Sequence, residues 1–311
     1  MFWTRRRDRW LGPALVLLTA LGCGSRPSTS SAPPQAAAAP TASAEATPSP
    51  SVRAATEQSP GVAPVVGGQR QSEPAADCPA GMRHVVTSFC PKLERQCVDK
   101  EYDEPNRITI CNAFREAPGQ CREPRMALDY CIDELEFPNQ RGVKPQVMLS
   151  FYDAEQRCSA AGKRLCRESE WVAACEGPDE TPFPYGYRRS SSACNIDNKW
   201  VDPHLERVYS PDAQVQRAEL ERLDRSQPSG ARPECQSGFG VFDLTGNVDE
   251  WVRADQERKQ RRSGVAALKG GAWGHVRNAC RPVTTSHPPS FTYYFIGFRC
   301  CADPALKPAS E

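Results

Sequence analysis

Fourteen of the fifteen cysteines in this 311-residue chain fall between Cys78 and Cys301, an even number crowded into about 230 residues. No two are spaced as Cys-x-x-Cys, so a structural zinc site finds little support. Paired as disulfides instead, they restrict the unfolded chain, each bridge contributing about 2–4 kcal/mol. That suits a chain with 29 prolines and only 39% hydrophobic residues. Spacing leaves the connectivity open, with one exception: adjacent Cys300 and Cys301 are expected to bond different, distant partners.

Disulfides persist in oxidising compartments, and the N-terminus offers a route to one. Arg5, Arg6, Arg7 and Arg9 precede an apolar run from Leu11 to Gly22 that stops at Cys23. A membrane span needs about 20 apolar residues, so residues 1–23 read as a signal peptide. Leu21-Gly22-Cys23 resembles a lipobox, which predicts cleavage before Cys23 and its acylation; ordinary signal peptidase cleavage nearby is the alternative. Ala, Pro, Ser and Thr dominate residues 24–77, a composition that buries too little apolar area to offset its ordering entropy. Such a linker would typically reach roughly 40 Å. One domain over 78–303 and a tail over 304–311 complete the expected layout. The expected location is the cell envelope, lipid-anchored at the outer membrane, with the domain in the periplasm or at the cell surface.

Lys and Arg number 39 against 38 Asp and Glu, for a net charge of +1. Nucleic-acid binding needs a concentrated basic field, which this balance does not supply. The basic run at 258–262 sits between two motifs and reads as a solvated loop. Two helices are expected. Ser150 can cap one, with Asp153 in its first turn and Ala154, Cys158 and Ala161 at helical spacing up to Gly162. The second runs from about Arg167 to Glu176, with Glu168 and Glu170 at its positive end. Short extended pieces broken by Pro and Gly are expected elsewhere.

Six sequence blocks then narrow the reading. Gly162-Lys163-Arg164-Leu165-Cys166-Arg167-Glu168-Ser169-Glu170-Trp171 resembles the Gly-x-Arg-Leu-Pro-Thr-Glu-x-Glu-Trp motif of the sulfatase-modifying factor, or formylglycine-generating-enzyme-like, family. Asp133 to Asn139 resembles the segment before that family's first helix, and Phe183-Pro184-Tyr185-Gly186 its Tyr-Pro-Trp-Gly turn. The stretch 238–251, ending Gly246-Asn247-Val248-Asp249-Glu250-Trp251, is similar to another block. Gly270-Gly271-Ala272-Trp273 and Gly297-Phe298-Arg299-Cys300 close the series in family order. The resemblance implies an irregular α+β fold related to C-type lectins, here disulfide-rich and carried by a bacterial lipoprotein. Trp251, Trp273 and Phe298 are expected to pack its core.

The resemblance also implies sites. Family members bind calcium through side chains at positions matching Asp243 and Glu250 and carbonyls matching Gly246 and Val248. Two carboxylates beside a Gly-containing turn suit a hard cation; capping the turn is the alternative role. A second calcium site would use Asn195 and the carbonyl of Ile196. The family's oxidase holds copper(I) between two cysteines, and His275 and Cys280 stand at those positions. Ala272 replaces a helpful serine, and Asp249 an aromatic residue. His275 and Cys280 either form a divergent copper site or are a loop residue and half a disulfide. Iron chemistry known among relatives requires a histidine-bearing helical domain, whereas this chain has only four histidines. The expectation is a binding or structural module for an envelope protein, peptide or glycan, the alternative a metal-dependent oxidase using His275 and Cys280.

Overall fold

The computed structural model describes residues 78–104, 106–256 and 264–305. The signal peptide, Cys23, the 24–77 linker, the basic run at 258–262 and residues 306–311 lie outside them. The described chain opens with six strands, β1 (Met82–Phe89), β2 (Leu93–Glu94), β3 (Cys97–Asp103), β4 (Ile108–Phe114), β5 (Gln120–Cys121) and β6 (Met126–Asp133). Helix α1 (Phe151–Ala160), β7 (Arg164–Leu165) and helices α2 (Glu168–Glu176), α3 (Leu205–Val208) and α4 (Ala213–Leu223) follow. Five strands finish the chain: β8 (Asp249–Arg253), β9 (Ala266–Lys269), β10 (Val283–Thr284), β11 (Ile296–Phe298) and β12 (Cys300–Ala302).

Two four-stranded sheets carry the architecture, in the orders β1-β6-β12-β7 and β10-β9-β8-β11. β11 runs parallel to β8, whereas every other strand pair is antiparallel. β2 with β5, and β3 with β4, form separate two-stranded ribbons. Only Arg299 separates β11 from β12, so the chain passes from one sheet to the other in a single residue.

The helices form for local reasons. Ser150 Oγ accepts from the Asp153 N–H at 3.1 Å and Asp153 returns the bond to the Ser150 N–H at 2.9 Å, closing a capping box on α1. In α2, Glu170 reaches back to the Arg167 N–H at 2.8 Å, and Gly177 ends the helix at φ 67°. Every residue of α2 is buried, as befits a helix enclosed on all sides. Helix α4 corrects the expectation of extended chain between 203 and 230. Asp212 caps it by accepting from the N–H groups of Gln214 and Val215.

All fourteen described cysteines are paired. Cys300 joins Cys158 of α1, and Cys301 joins Cys166 just before α2. Successive side chains on a strand point to opposite faces, so adjacent cysteines on β12 reach α1 on one side and the residue after β7 on the other. The core divides the same way: Cys158 and Cys300 pack with Trp251 and Phe298, while Cys166 and Cys301 pack with Trp171 and Tyr130. Trp251, Trp273 and Phe298 are all buried, as the sequence implied.

At the sheet crossing the Arg299 guanidinium is fully buried and grips Glu250, itself 1% exposed, through two bonds of 2.7 and 2.8 Å. Removing one member of such a pair strands the other charge, at a cost of about 3–5 kcal/mol. Arg299→Met is therefore expected to lower unfolding stability by about that amount in urea titrations. A loss below 1 kcal/mol would show that water reaches Glu250.

Candidate functional site

Strand β9 ends at Lys269, and the two glycines after it both take positive φ, 90° at Gly270 and 69° at Gly271. A Cβ on Gly270 would lie 3.0 Å from the Leu244 carbonyl and 3.3 Å from the Trp171 ring, so the turn is built for glycine. Buried Asn278 then ties the loop down by donating to the carbonyls of Gly271 and Ala272 at 2.9 and 3.0 Å. This arrangement places His275 in the lining of a cleft with a volume of ≈ 450 Å³. Trp200, Tyr209, Phe291 and Tyr293 contribute its aromatic walls, and Asp249, Arg277 and His287 line it as well.

Asp249 stands at the start of β8. One carboxylate oxygen accepts from the Gly271 N–H at 3.1 Å, while Oδ2 is buried without a partner. His275 Nδ1, 3.6 Å from that oxygen, is also buried and unpartnered. Burial pushes Asp249 up to about 6, against the nearby Arg277 charge. Burial and Arg277 together push His275 down to about 4, so its imidazole is neutral at physiological pH. His287 is lowered too, first by burial, and its ring stacks on Phe291 at 4.1 Å between centroids. The site is thus an aromatic-walled cleft with a neutral imidazole beside a carboxylate that has a free oxygen.

Cys280, the other residue named for copper, is fully buried and bonded to Cys175 of α2. This corrects the oxidase alternative, because a disulfide sulfur has no thiolate to offer a soft metal. Ala272 is buried as well and supplies no hydroxyl. The residues present do not fit a copper(I) site of the family type.

The calcium positions come together differently. Asp243 and Glu250 both lie near Arg299, as does buried Glu136, so a guanidinium holds the centre of the acidic group. Both Glu250 oxygens are engaged, by Arg299 and by the Trp171 indole N–H at 2.8 Å. Asp243 accepts from the Gly230 N–H at 2.7 Å, and burial raises it to about 6. Gly246 packs so closely that a Cβ would meet the Asn195 carbonyl at 2.4 Å. Val248 is buried in the core against Trp251. At the second position, the Asn195 amide oxygen accepts from Asn198 at 2.9 Å, and the Ile196 carbonyl receives the same amide at 3.4 Å. Among the described residues no three His, Cys, Asp or Glu side chains form a metal-binding group. As arranged, Glu250 is held by Arg299 and the Trp171 indole, and one oxygen of Asp243 is held by the Gly230 N–H.

A disulfide-braced α+β domain with one aromatic cleft beside a glycine turn is what the fold and site define. The chain belongs to the sulfatase-modifying factor enzyme 1-like domain family, whose model matches residues 97–304. It is 27% identical over 186 residues to a Bos taurus protein named inactive C-alpha-formylglycine-generating enzyme 2, covering 58% of this chain and 54% of that protein. It is also 27% identical over 210 residues to a formylglycine-generating enzyme of Mycobacterium tuberculosis, covering 60% and 64%. The chain spans about half the length of most of the curated relatives it matches. Among solved structures, CarF aligns over 72% of this chain and 98% of its own, with a TM-score of 0.47 and 13% identity.

Two tests follow from this geometry. Asp249 binds its proton more tightly when folded, so it costs stability as pH rises from its ordinary 3.8 through about 6. Asp249→Asn keeps an oxygen for Gly271 and gains an N–H for His275. Melting curves are expected to show Asn stabilising at pH 7.5, by about 1–3 kcal/mol, with most of that gain gone at pH 4. Equal gains at both pH values would mean that the carboxyl is not buried. Chelation tests the calcium expectation: a fall in melting temperature that Asp243→Ala abolishes would place calcium at this turn, whereas no change would leave Arg299 as the cation among these carboxylates.

Proposed function

We propose that this protein is an exported, lipid-anchored member of the family whose domain, a C-type-lectin-like scaffold, binds a ligand instead of oxidising cysteine. The observation that carries the reading is the Cys175–Cys280 disulfide, which occupies the sulfur a copper(I) site would need. His275 adds a neutral nitrogen in place of the other thiolate, so two negative donors are missing together. Ala272 lacks a hydroxyl, and losing even one transition-state hydrogen-bond donor costs about 10²–10³ in rate. The cleft itself remains, with aromatic walls and a few polar groups, which is the usual make-up of a ligand site. An envelope protein, peptide or glycan is the class of partner proposed. Acylation of Cys23 would hold the domain at the membrane surface, and seven bridges suit the oxidising space outside the cytoplasm.

The oxidase question is settled by incubating copper-treated protein with a Cys-x-Pro-x-Arg peptide and oxygen, then weighing the peptide. No aldehyde is expected from wild type. Aldehyde that disappears in Cys280→Ser would overturn the proposal, since it would show that the bridge opens and the thiolate works. Fatty-acid labelling tests the anchor separately: it is expected in mature wild type and lost in Cys23→Ala.

A further inference from the structure

A second cavity, of ≈ 460 Å³, has four arginines in its lining: Arg95, Arg189, Arg277 and Arg281. Leu93, Ile110, Phe114 and Val276 supply an apolar lining. We propose that this cavity binds an organic oxyanion, a carboxylate or phosphate monoester carried on an apolar body, with Arg95 as its principal anchor.

Arg95 is the reason. Its side chain is only 5% exposed, and Nη1 donates to Glu176 at 3.0 Å. Nε and Nη2 are buried and have no partner. Those two N–H groups share one edge of the guanidinium, the edge that grips carboxylate or phosphate side-on through two parallel bonds. A buried, charged group with most of its donors unused is costly unless something completes it.

No neighbouring acid is free to do so. Glu176 already accepts the Nε and Nη2 groups of Arg281, at 2.7 and 2.8 Å, besides its bond from Arg95. Asp197 is committed to Arg189, and Glu94, at the cavity wall, to Arg122. Arg277 has no ion-pair partner among the described residues. The cavity therefore carries more positive than negative charge, while its apolar lining favours a ligand with a hydrocarbon or aromatic body. Bare phosphate would satisfy the arginines and leave that lining wet.

The test uses the purified mature protein with hexanoate, hexyl phosphate, inorganic phosphate and hexylammonium, read by calorimetry and by melting temperature. At least one of the two organic oxyanions is expected to bind and raise the melting temperature, the tighter of them naming the head group. Inorganic phosphate is expected to bind about tenfold more weakly or less, and hexylammonium not at all. Arg95→Lys keeps the charge but loses the fork, and Arg277→Gln removes a partly exposed guanidinium that has no ion-pair partner among the described residues. Each is expected to weaken binding about tenfold. Should Arg95→Lys fail to fold, the Arg277 variant decides alone. Silence from both organic oxyanions, equal binding of hexylammonium or of bare phosphate, or full affinity in Arg277→Gln would overturn the proposal. The aldehyde assay reads the other cleft, so the two ideas fail separately.

Discussion

Arg299 is a charge placed where water does not reach, and the domain is arranged to make that tolerable. Taking a guanidinium out of water costs several kcal/mol unless its donors are met. Here they are met from every direction. Glu250 takes two, the Phe242 carbonyl one at 2.9 Å, and the carbonyls of Asp133 and Glu134 share the remaining nitrogen at 3.3 and 3.4 Å. Asp133 ends β6 in one sheet and Glu250 lies in β8 of the other, so a single side chain fastens both sheets. Trp171 brings α2 to the same carboxylate through its indole N–H. A substitution that kept the size of Arg299 but not its charge would therefore disturb the two sheets and a helix at once.

The acidic turn beside Arg299 follows from that arrangement. Asp243, Gly246 and Asn247 all take positive φ, which curls the 243–250 segment tightly and presents its polar groups inward. Glu136 meets Asn247 there, accepting two bonds from its amide and one from the Ser229 hydroxyl. Burial pushes Glu136 well above the usual carboxylate range and Asp243 up to about 6. Three carboxyls close together need either a cation or protons, and here the guanidinium supplies the one while burial encourages the other. The same residue types read from sequence as a calcium site, and the Arg299 guanidinium that stands near them is not visible there.

Legibility tracked the range of the interaction. Helix α1 was visible because Ser150 and Asp153 cap it within four residues, and α2 because its acidic first turn and closing glycine are equally local. Helix α4 was missed for a physical reason: its buried positions are Glu219 and Leu223, so no apolar stripe marks it. Glu219 is buried because it accepts from the His204 N–H and from Arg222, contacts that spacing alone does not announce. The bridge partners of Cys300 and Cys301 lie more than 130 residues away, at separations of 142 and 135, and only the need for different partners was readable. Family blocks located the cleft, since Gly270 and Gly271 set its turn. Asp249 was noticed as a changed residue, yet its unpartnered oxygen and Arg95's unpaired edge exist only once distant walls close around them.

The 271–282 loop contributes to both cavities. His275 lines the aromatic cleft, Arg277 lines both cavities, and Arg281 lines the second. Cys280 fastens the loop to α2, the helix whose last residue, Glu176, also holds Arg281 and Arg95. An open copper site would need this segment loose enough to present a reduced sulfur, whereas the bridge fixes it against a buried helix. Fixing it in that way holds unpaired polar groups in place on both sides: an acceptor at Asp249 and donors at Arg95. Such groups reduce stability in the absence of ligand, and a rigid loop is what prevents them from relaxing onto each other. The disulfide that leaves Cys280 without a thiolate thus also fastens the loop that lines both cavities.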